Sequence, residues 1–306
     1  MADLRTSICG VDLRSPVIAA GGTFGYGLEF GGIADLGSVG AIVTKGLSRE
    51  PMAGNPAPRV TETASGMLNA IGLQNVGVRA FVSEKLPALR SLGTPVIANV
   101  FGFRVEDYAE VLRVLEAAEG LAAYELNVSC PNTSHGGLEF GADARQLSRA
   151  VAAARAAVGR RPLLVKLSPN VTDIREMARA AVESGADGLS LINTLRGLAV
   201  DARTRKPVLG AGSGGLSGPA IKPVALHMVH QVAQAVAVPV IGMGGIATAE
   251  DVVEFLLCGA TCVQVGTASF WDPARVANLP GELGAYLDAQ GTASAADLRG
   301  ALLSPS

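Results

Sequence analysis

Residues 162–185 read PLLVKLSPNVTDIREMARAAVESG. The stretch opens on a short apolar run, Pro162–Leu167, which ends at Ser168. A segment of helical period follows. Thr172, with Asp173 and Glu176 behind it, is a helix start signal, and Ser184-Gly185 is a stop. A buried strand followed by an amphipathic helix is one βα unit. The same two-beat pattern runs along the whole chain. Strand-like runs fall at Pro16–Ala20, Ala41–Thr44, Pro95–Val100, Ala122–Val128, Pro162–Leu167, Gly188–Ile192, Pro239–Met243 and Thr261–Val265. Their near-continuous Val, Ile and Leu content suits parallel strands covered on both faces. Helical segments are expected near Leu28–Leu36, Val76–Ser91, Val105–Ala118, Asp143–Val158, Thr172–Ser184, Pro219–Val236, Thr248–Leu257 and Pro273–Gln290.

Eight such units at nearly regular spacing predict an α/β fold: one closed (β/α)₈ TIM barrel, forming a single domain over residues 1–306. A barrel of this kind needs about 250 residues, so some tens remain for loops. A doubly wound open sheet is the alternative. The regular repeat and the lack of an early dinucleotide fingerprint count against it. The segment Arg5–Arg14, turning at Gly10, reads as an N-terminal hairpin that plugs the bottom of the barrel. Three connections are too long to be plain turns: Gly46–Asn75, Ser129–Ala142 and Asn193–Gly218. All three follow the C-terminal ends of strands, which is the catalytic face of this fold.

Composition narrows the function classes. A net charge of -2 offers no field for nucleic acid or an anionic membrane surface. Hydrophobic residues make up 49% of the chain, enough for a large core and for a face buried against a partner, and this excludes disorder as the main state. No run approaches a membrane span and no secretory leader is visible, so a reducing cytoplasm with free thiols is expected. Cys9, Cys130, Cys258 and Cys262 form no C-x-x-C pair, which argues against a zinc or iron–sulfur site built by this chain alone.

Some residues do not belong to packing. Lys45 ends the apolar run of the second strand and Lys166 sits inside the fifth. A lysine in a buried strand is costly unless paired or facing a ligand. A structural salt bridge is the alternative for each. Asn99, Asn127 and Asn193 stand at the C-terminal ends of three different strands, and Asn69 lies in the long second loop. Each could be a turn residue. Converging on one site, they would suit a planar ligand with amide or imide edges. Cys130 begins a long loop on the active face, where a thiol is a candidate base or nucleophile, whereas Cys258 and Cys262 read as packing residues. A protease-like Cys–His pair is poorly supported, because of the histidines only His135 lies near Cys130 in sequence, and His227 and His230 fall in a helix. Gly242-Met243-Gly244-Gly245 and Gly266-Thr267 lead towards helix N-termini, the usual phosphate site of such barrels. Gly210–Gly215 matches G-x-G-x-x-G but follows a polar loop with no acidic residue about 20 positions on, so it reads as a flexible glycine loop.

Three segments together resemble one family. Glu125-Leu126-Asn127-Val128-Ser129-Cys130-Pro131-Asn132 is similar to the active-loop motif of class 1 dihydroorotate dehydrogenases. Asn69-Ala70-Ile71-Gly72-Leu73-Gln74-Asn75 resembles their substrate loop, and Gly214–Pro223 their segment after strand 6. His135-Gly136-Gly137 and Val200–Pro207 favour the NAD-dependent B type. The class 2 enzymes, with serine as base and an N-terminal membrane-associating extension, do not match.

The resemblance implies an FMN-bearing barrel that oxidises dihydroorotate to orotate in pyrimidine biosynthesis. It implies Cys130 as the base that takes the C5 proton while hydride leaves C6 for the flavin. Substrate contacts would come from Lys45, Asn69, Ala70, Ile71, Gly72, Leu73, Asn127, Asn193 and Thr194. FMN would be lined by Gly21, Lys45, Gly46, Asn99, Asn127, Lys166, Ile192, Gly218, Gly244, Gly245, Gly266 and Thr267, with Lys166 stabilising the reduced, anionic flavin. A separate iron–sulfur flavoprotein subunit with FAD and a [2Fe–2S] cluster would pass electrons to NAD, in a heterotetramer built on a homodimer core. A fumarate-dependent A-type enzyme, another FMN barrel acting on pyrimidines, and a non-catalytic phosphate-binding scaffold are the alternatives. One departure stands out: Ala20-Gly21-Gly22 occupies the place of Ala-Ser-Gly in many relatives. A backbone contact there would survive the change and a hydroxyl contact would not.

Overall fold

The computed structural model describes residues 1–129 and 139–304. Eight strands close into a parallel barrel: β1 (Val17–Ala19), β2 (Ala41–Val43), β3 (Val96–Val100), β4 (Ala123–Asn127), β5 (Leu163–Lys166), β6 (Gly188–Leu191), β7 (Val240–Met243) and β8 (Cys262–Val265). They are hydrogen-bonded in chain order, and Val263 of β8 pairs with Val17 of β1 to complete the ring. All eight expected runs are barrel strands. Their apolar character follows from position: outward side chains meet helices and inward ones fill the barrel, so neither face reaches water.

Helices cover the outside. Val105–Glu116, Ala144–Ala157, Ile174–Glu183, Lys222–Ala235, Ala249–Leu257 and Arg275–Ala289 lie within the expected segments. Each buries one stripe; on Ala144–Ala157 it is Leu147, Ala150, Val151 and Ala154. Start signals act as side-chain caps. Asp173 accepts from the Arg175 amide, and Thr248 and Asp251 form a reciprocal capping box. The segment from Val78 to Arg90 is helical but passes through a wider π turn at Phe81–Lys85. Pro87 lies just beyond that turn and has no N–H to donate to Ser83, so the wider turn accommodates the missing bond.

Leu28–Leu36 is not an α-helix. Two separate 3₁₀ turns, Leu28–Phe30 and Leu36–Ser38, stand in its place. Gly27 has φ +90°, and Gly31 and Gly32 interrupt the segment, so glycine's backbone entropy outweighs the apolar spacing.

The N-terminal hairpin is present as Thr6–Ile8 paired with Val11–Leu13, turning through Cys9 and Gly10, both at positive φ. Ile8 and Leu13 pack on Ile18, Val43, Ile97, Leu164 and Ile241, which fill the N-terminal half of the barrel. Cys9 Sγ lies 3.2 Å from the Asp187 carbonyl, just before β6. The hairpin therefore closes the end away from the long loops.

Those loops are more ordered than their length suggests. Two of them combine into a four-stranded antiparallel sheet above the barrel, in the order Leu195–Gly197, Gly214–Ser217, Gly66–Asn69, Val60–Thr63. Gly210–Gly215 is thus not simply a flexible glycine loop, because Gly214 and Gly215 sit in a central strand of this cap. A Cβ on Gly214 would lie 2.5 Å from the Asn69 carbonyl oxygen, so the glycine permits a close backbone approach. Val200–Asp201 and Lys206–Pro207 form a small separate hairpin.

Because Ile8 is fully buried in the plug, Ile8→Ala is expected to cost about 2–5 kcal/mol of stability. Chemical denaturation of the two proteins measures it; a difference below about 0.5 kcal/mol would show that the hairpin is not part of the core.

Candidate active site

The C-terminal ends of the strands and the cap sheet enclose a cavity of about 690 Å³. That volume is in the range of small-molecule and cofactor sites. Gly21 enters its wall after β1, Lys45 and Gly46 after β2, Asn99 and Asn127 from β3 and β4, and Lys166 from the end of β5. Ile192, Asn193 and Thr194 follow β6, Gly244 and Gly245 follow β7, and Gly266 and Thr267 follow β8. The cap contributes Asn69, Ala70, Ile71, Gly72, Leu73 and Gly218. Every expected substrate or cofactor residue therefore faces one cavity. Cys130 and His135-Gly136-Gly137 lie outside the described residues, while Ser129, next to Cys130, lines the cavity.

The two lysines have no ion-pair partner among the described residues. The structural salt bridge considered for them is absent there. Burial pushes the Lys45 ammonium below its usual range, opposed by Glu29 and reinforced by Arg59. An unpaired, half-buried cation on a cavity wall is poised for an anionic or electron-rich ligand.

The asparagines form an oriented set. Asn127 Oδ1 accepts from the Ser129 amide at 3.2 Å and from Asn193 Nδ2 at 3.3 Å. Asn193 Nδ2 also reaches Ser129 Oγ at 2.9 Å, and its Oδ1 takes the Thr194 amide at 2.8 Å. These bonds occupy the carbonyl oxygens of both amides and tie down the residue before Cys130. Beyond that segment, Glu139 pairs with Arg196 at 2.8 Å and accepts from Ser168 Oγ at 3.0 Å.

The Gly244-Gly245 turn behaves as a close-approach element, whereas at Gly266 an added Cβ would meet only ordinary contacts. Gly244 and Gly245 have φ +131° and +78°, and a Cβ on Gly245 would lie 2.9 Å from the Gly218 carbonyl oxygen. The Ala247 and Thr248 amides are taken by Asp251 Oδ2, which moves the available backbone donors back onto the glycine turn. At Gly21 an added Cβ would lie 2.1 Å from the Thr44 carbonyl oxygen, so on this backbone the rim there is main chain alone.

Sequence reasoning missed several residues of the site. Glu125, quoted within the β4 motif but given no role, is completely buried beneath the cavity. Gln264 of β8 lines the floor, and Asn170, Glu139 and Arg196 line the side. Phe270 and Trp271 stand on the rim with 55% and 53% of their surfaces exposed. Glu125 and Gln264 carry the same signal that marked Lys166, a polar residue inside an apolar strand. Among the described residues no cluster could hold a metal ion, and no helix is long and apolar enough to cross a membrane.

Lys45 is charged in the unfolded chain up to its ordinary pKa and loses its proton earlier when folded. Its burial therefore destabilises the fold while it is protonated, and stability rises with pH between the lowered folded value and the ordinary one. Lys45→Met is expected to melt higher than the unmodified chain at pH 7, both ligand-free, and the gap should shrink as pH approaches 10. Equal melting temperatures across that range would refute the strained-cation reading.

The sequence comparisons point the same way. Residues 3–287 match the family described as dihydroorotate dehydrogenase. A protein of Solibacter usitatus, provisionally named dihydroorotate dehydrogenase A (fumarate), is 60% identical over 98% of both chains. The dihydroorotate dehydrogenase B (NAD(+)) catalytic subunits of Geotalea uraniireducens and Geobacter sulfurreducens are each 55% identical, again over 98% of both chains. A match of this extent, on a closed barrel whose strand ends converge on one cavity, establishes that the chain belongs to the dihydroorotate dehydrogenase family.

Proposed function

We propose that this chain, working as one barrel domain, oxidises dihydroorotate to orotate in pyrimidine biosynthesis with FMN as its bound cofactor. The observation that carries the reading is the convergence of two lysines without an ion-pair partner among the described residues, Asn127 and Asn193, and two glycine turns on one cavity in a chain of this family.

The residues present fit a flavin nucleotide. Gln264 Oε1 is buried with no hydrogen-bond partner among the described residues, the Gly244-Gly245 turn leaves room for no side chain, and Lys45 and Lys166 offer free positive charge. Lys166, Asn99, Gly21, Gly46, Ile192 and Gly218 would hold the ring and its chain, and the turns at Gly244–Gly245 and Gly266–Thr267 the phosphate. When bound, FMN supplies a two-electron acceptor for hydride from C6 of the substrate. Asn69 to Leu73, Asn127, Asn193 and Thr194 would grip the polar edges of dihydroorotate, and Lys45 its developing negative charge. Cys130 removes the C5 proton. An ordinary thiol, pKa about 8.5, is only a few per cent thiolate at pH 7, so the rate should climb with pH.

A partner subunit carrying FAD and a [2Fe–2S] cluster would supply the route for electrons to NAD as final acceptor. The B-type names of the Geotalea and Geobacter relatives support this, as do the apolar side chains of Phe270 and Trp271 exposed at the cavity rim. A homodimer core and a cytoplasmic location belong to the same reading. The second reading, direct use of fumarate, is favoured by the name of the Solibacter relative. The purified chain should be yellow and should reduce an artificial acceptor with dihydroorotate. NAD reduction should require an added iron–sulfur flavoprotein. Strong NAD reduction by the chain alone overturns the partner reading, brisk fumarate reduction moves the enzyme to the A type, and a colourless protein with no dihydroorotate oxidation sinks the assignment itself.

For the base, Cys130→Ala should retain FMN and substrate binding but slow flavin reduction by about 10² or more. Cys130→Ser should be similarly slow at neutral pH, because a hydroxyl ionises far less readily. Rapid-mixing flavin reduction between pH 6 and 9 checks both; near-normal reduction in the alanine variant removes Cys130 from this role.

A further inference from the structure

Glu125 lies in the centre of the barrel with no accessible surface and does not reach the cavity. No lysine or arginine pairs with it among the described residues. Its partners are three neutral donors. Asn99 Nδ2 donates to Oε1 at 2.7 Å, while Ser190 Oγ at 2.8 Å and Gln264 Nε2 donate to Oε2. Two of those partners, Asn99 and Gln264, line the cavity floor, and Ser190 does not.

A carboxylate only accepts hydrogen bonds, so each amide bonded to it must turn its NH₂ inward. The carbonyl oxygen of each amide then faces the other way. Asn99 Oδ1 lies beside Gly46 on the cavity wall, where a Cβ on that glycine would approach it to 3.0 Å. Gln264, 1% exposed, has its Oε1 buried and without a partner among the described residues. Buried acceptors are rarely left unpaired, and Gln264 is one of the residues that line the cavity.

We propose that Glu125 is a positioning residue which, by accepting from both amides, presents the carbonyl oxygens of Asn99 and Gln264 as acceptors for hydrogen-bond donors of the bound flavin. This rests on the flavin reading above. It assigns the floor a polarity as well as a shape: the ligand must bring N–H or O–H groups to it. Glu125→Gln would place an NH₂ against the same neighbours, and at least one of the two amides would have to reverse.

The test strips FMN from the protein and titrates it back, following flavin fluorescence and the visible absorption envelope. Melting of each ligand-free variant is followed by circular dichroism. Glu125→Gln is expected to weaken FMN binding by about tenfold or more and to shift the absorption envelope, as reversing a buried amide leaves an unmatched group. Gln264→Met, similar in size but without the amide, should weaken binding in the same direction. Ser190→Ala removes a hydrogen bond from Glu125 without touching the cavity, so it should lower the melting temperature yet leave FMN affinity within about twofold. FMN affinity within twofold in Glu125→Gln or in Gln264→Met overturns the proposal. So does a Ser190→Ala variant that loses as much affinity as Glu125→Gln, since the carboxylate would then act through general stability. Should Glu125→Gln fail to fold, the contrast between Gln264→Met and Ser190→Ala decides. Failure of the unmodified chain to bind FMN removes the flavin reading itself, whereas normal binding there with unaffected variants removes only the role of Glu125.

Discussion

The barrel interior changes character at one level, and that change is held by the hydrogen bonds around Glu125. Below it, Ile18, Val43, Ile97, Leu164 and Ile241 fill the bore, and Ile8 and Leu13 of the hairpin seal it. At it, Asn99, Ser190 and Gln264 converge on a single carboxylate. Above it the cavity opens. A carboxylate with no accessible surface is tolerable only when its oxygens are satisfied, so the donors cannot be exchanged freely for apolar residues. The polar layer is therefore both the roof of the core and the floor of the site.

The division of labour in the molecule follows from that boundary. Stability comes from the lower bore and from the stripes that the outer helices bury, while the upper end carries uncompensated features. Lys45 and Lys166 have no ion-pair partner among the described residues, and Gly244 and Gly245 hold backbone conformations that other residues rarely adopt. The buried charge of Lys45 is a cost to the ligand-free fold. In the flavin reading proposed above, one flat, anionic, phosphate-bearing ligand would satisfy the lysines and the glycine turn together. The cap sheet adds the remaining wall. It joins the loop after β2 to the loop after β6, so two segments far apart in sequence approach the ligand as one surface.

Most of the architecture was legible in the chain itself. A buried parallel strand declares itself by an unbroken apolar run, and a covering helix by its period and caps, so eight units at regular spacing left little choice of topology. Lys45 and Lys166 were legible for the converse reason: a charge inside such a run has no structural excuse. The same logic, applied evenly, reaches Glu125 and Gln264. Leu28–Leu36 misled because its apolar spacing is helical while its glycines are not. Cys130 was singled out by its place at the start of an active-face loop, and its proposed role as base came from the motif resemblance.

What local sequence could not determine is whatever depends on partners distant along the chain. Gly214 and Gly215 look like slack in a loop, and only the approach of Asn69 and Thr194 shows that they are needed for close packing. The cap sheet pairs short, glycine-rich strands with no strong alternation, so their register exists only once the barrel has set the loop ends in place. The direction in which Asn99 and Gln264 point is likewise invisible in sequence, since an amide can face either way; the buried carboxylate between them decides it. Local periodicity, then, determined the barrel and which of its ends carries chemistry. The tertiary structure alone decided how the polar groups at that end are oriented, because each orientation is set by a hydrogen bond to another strand.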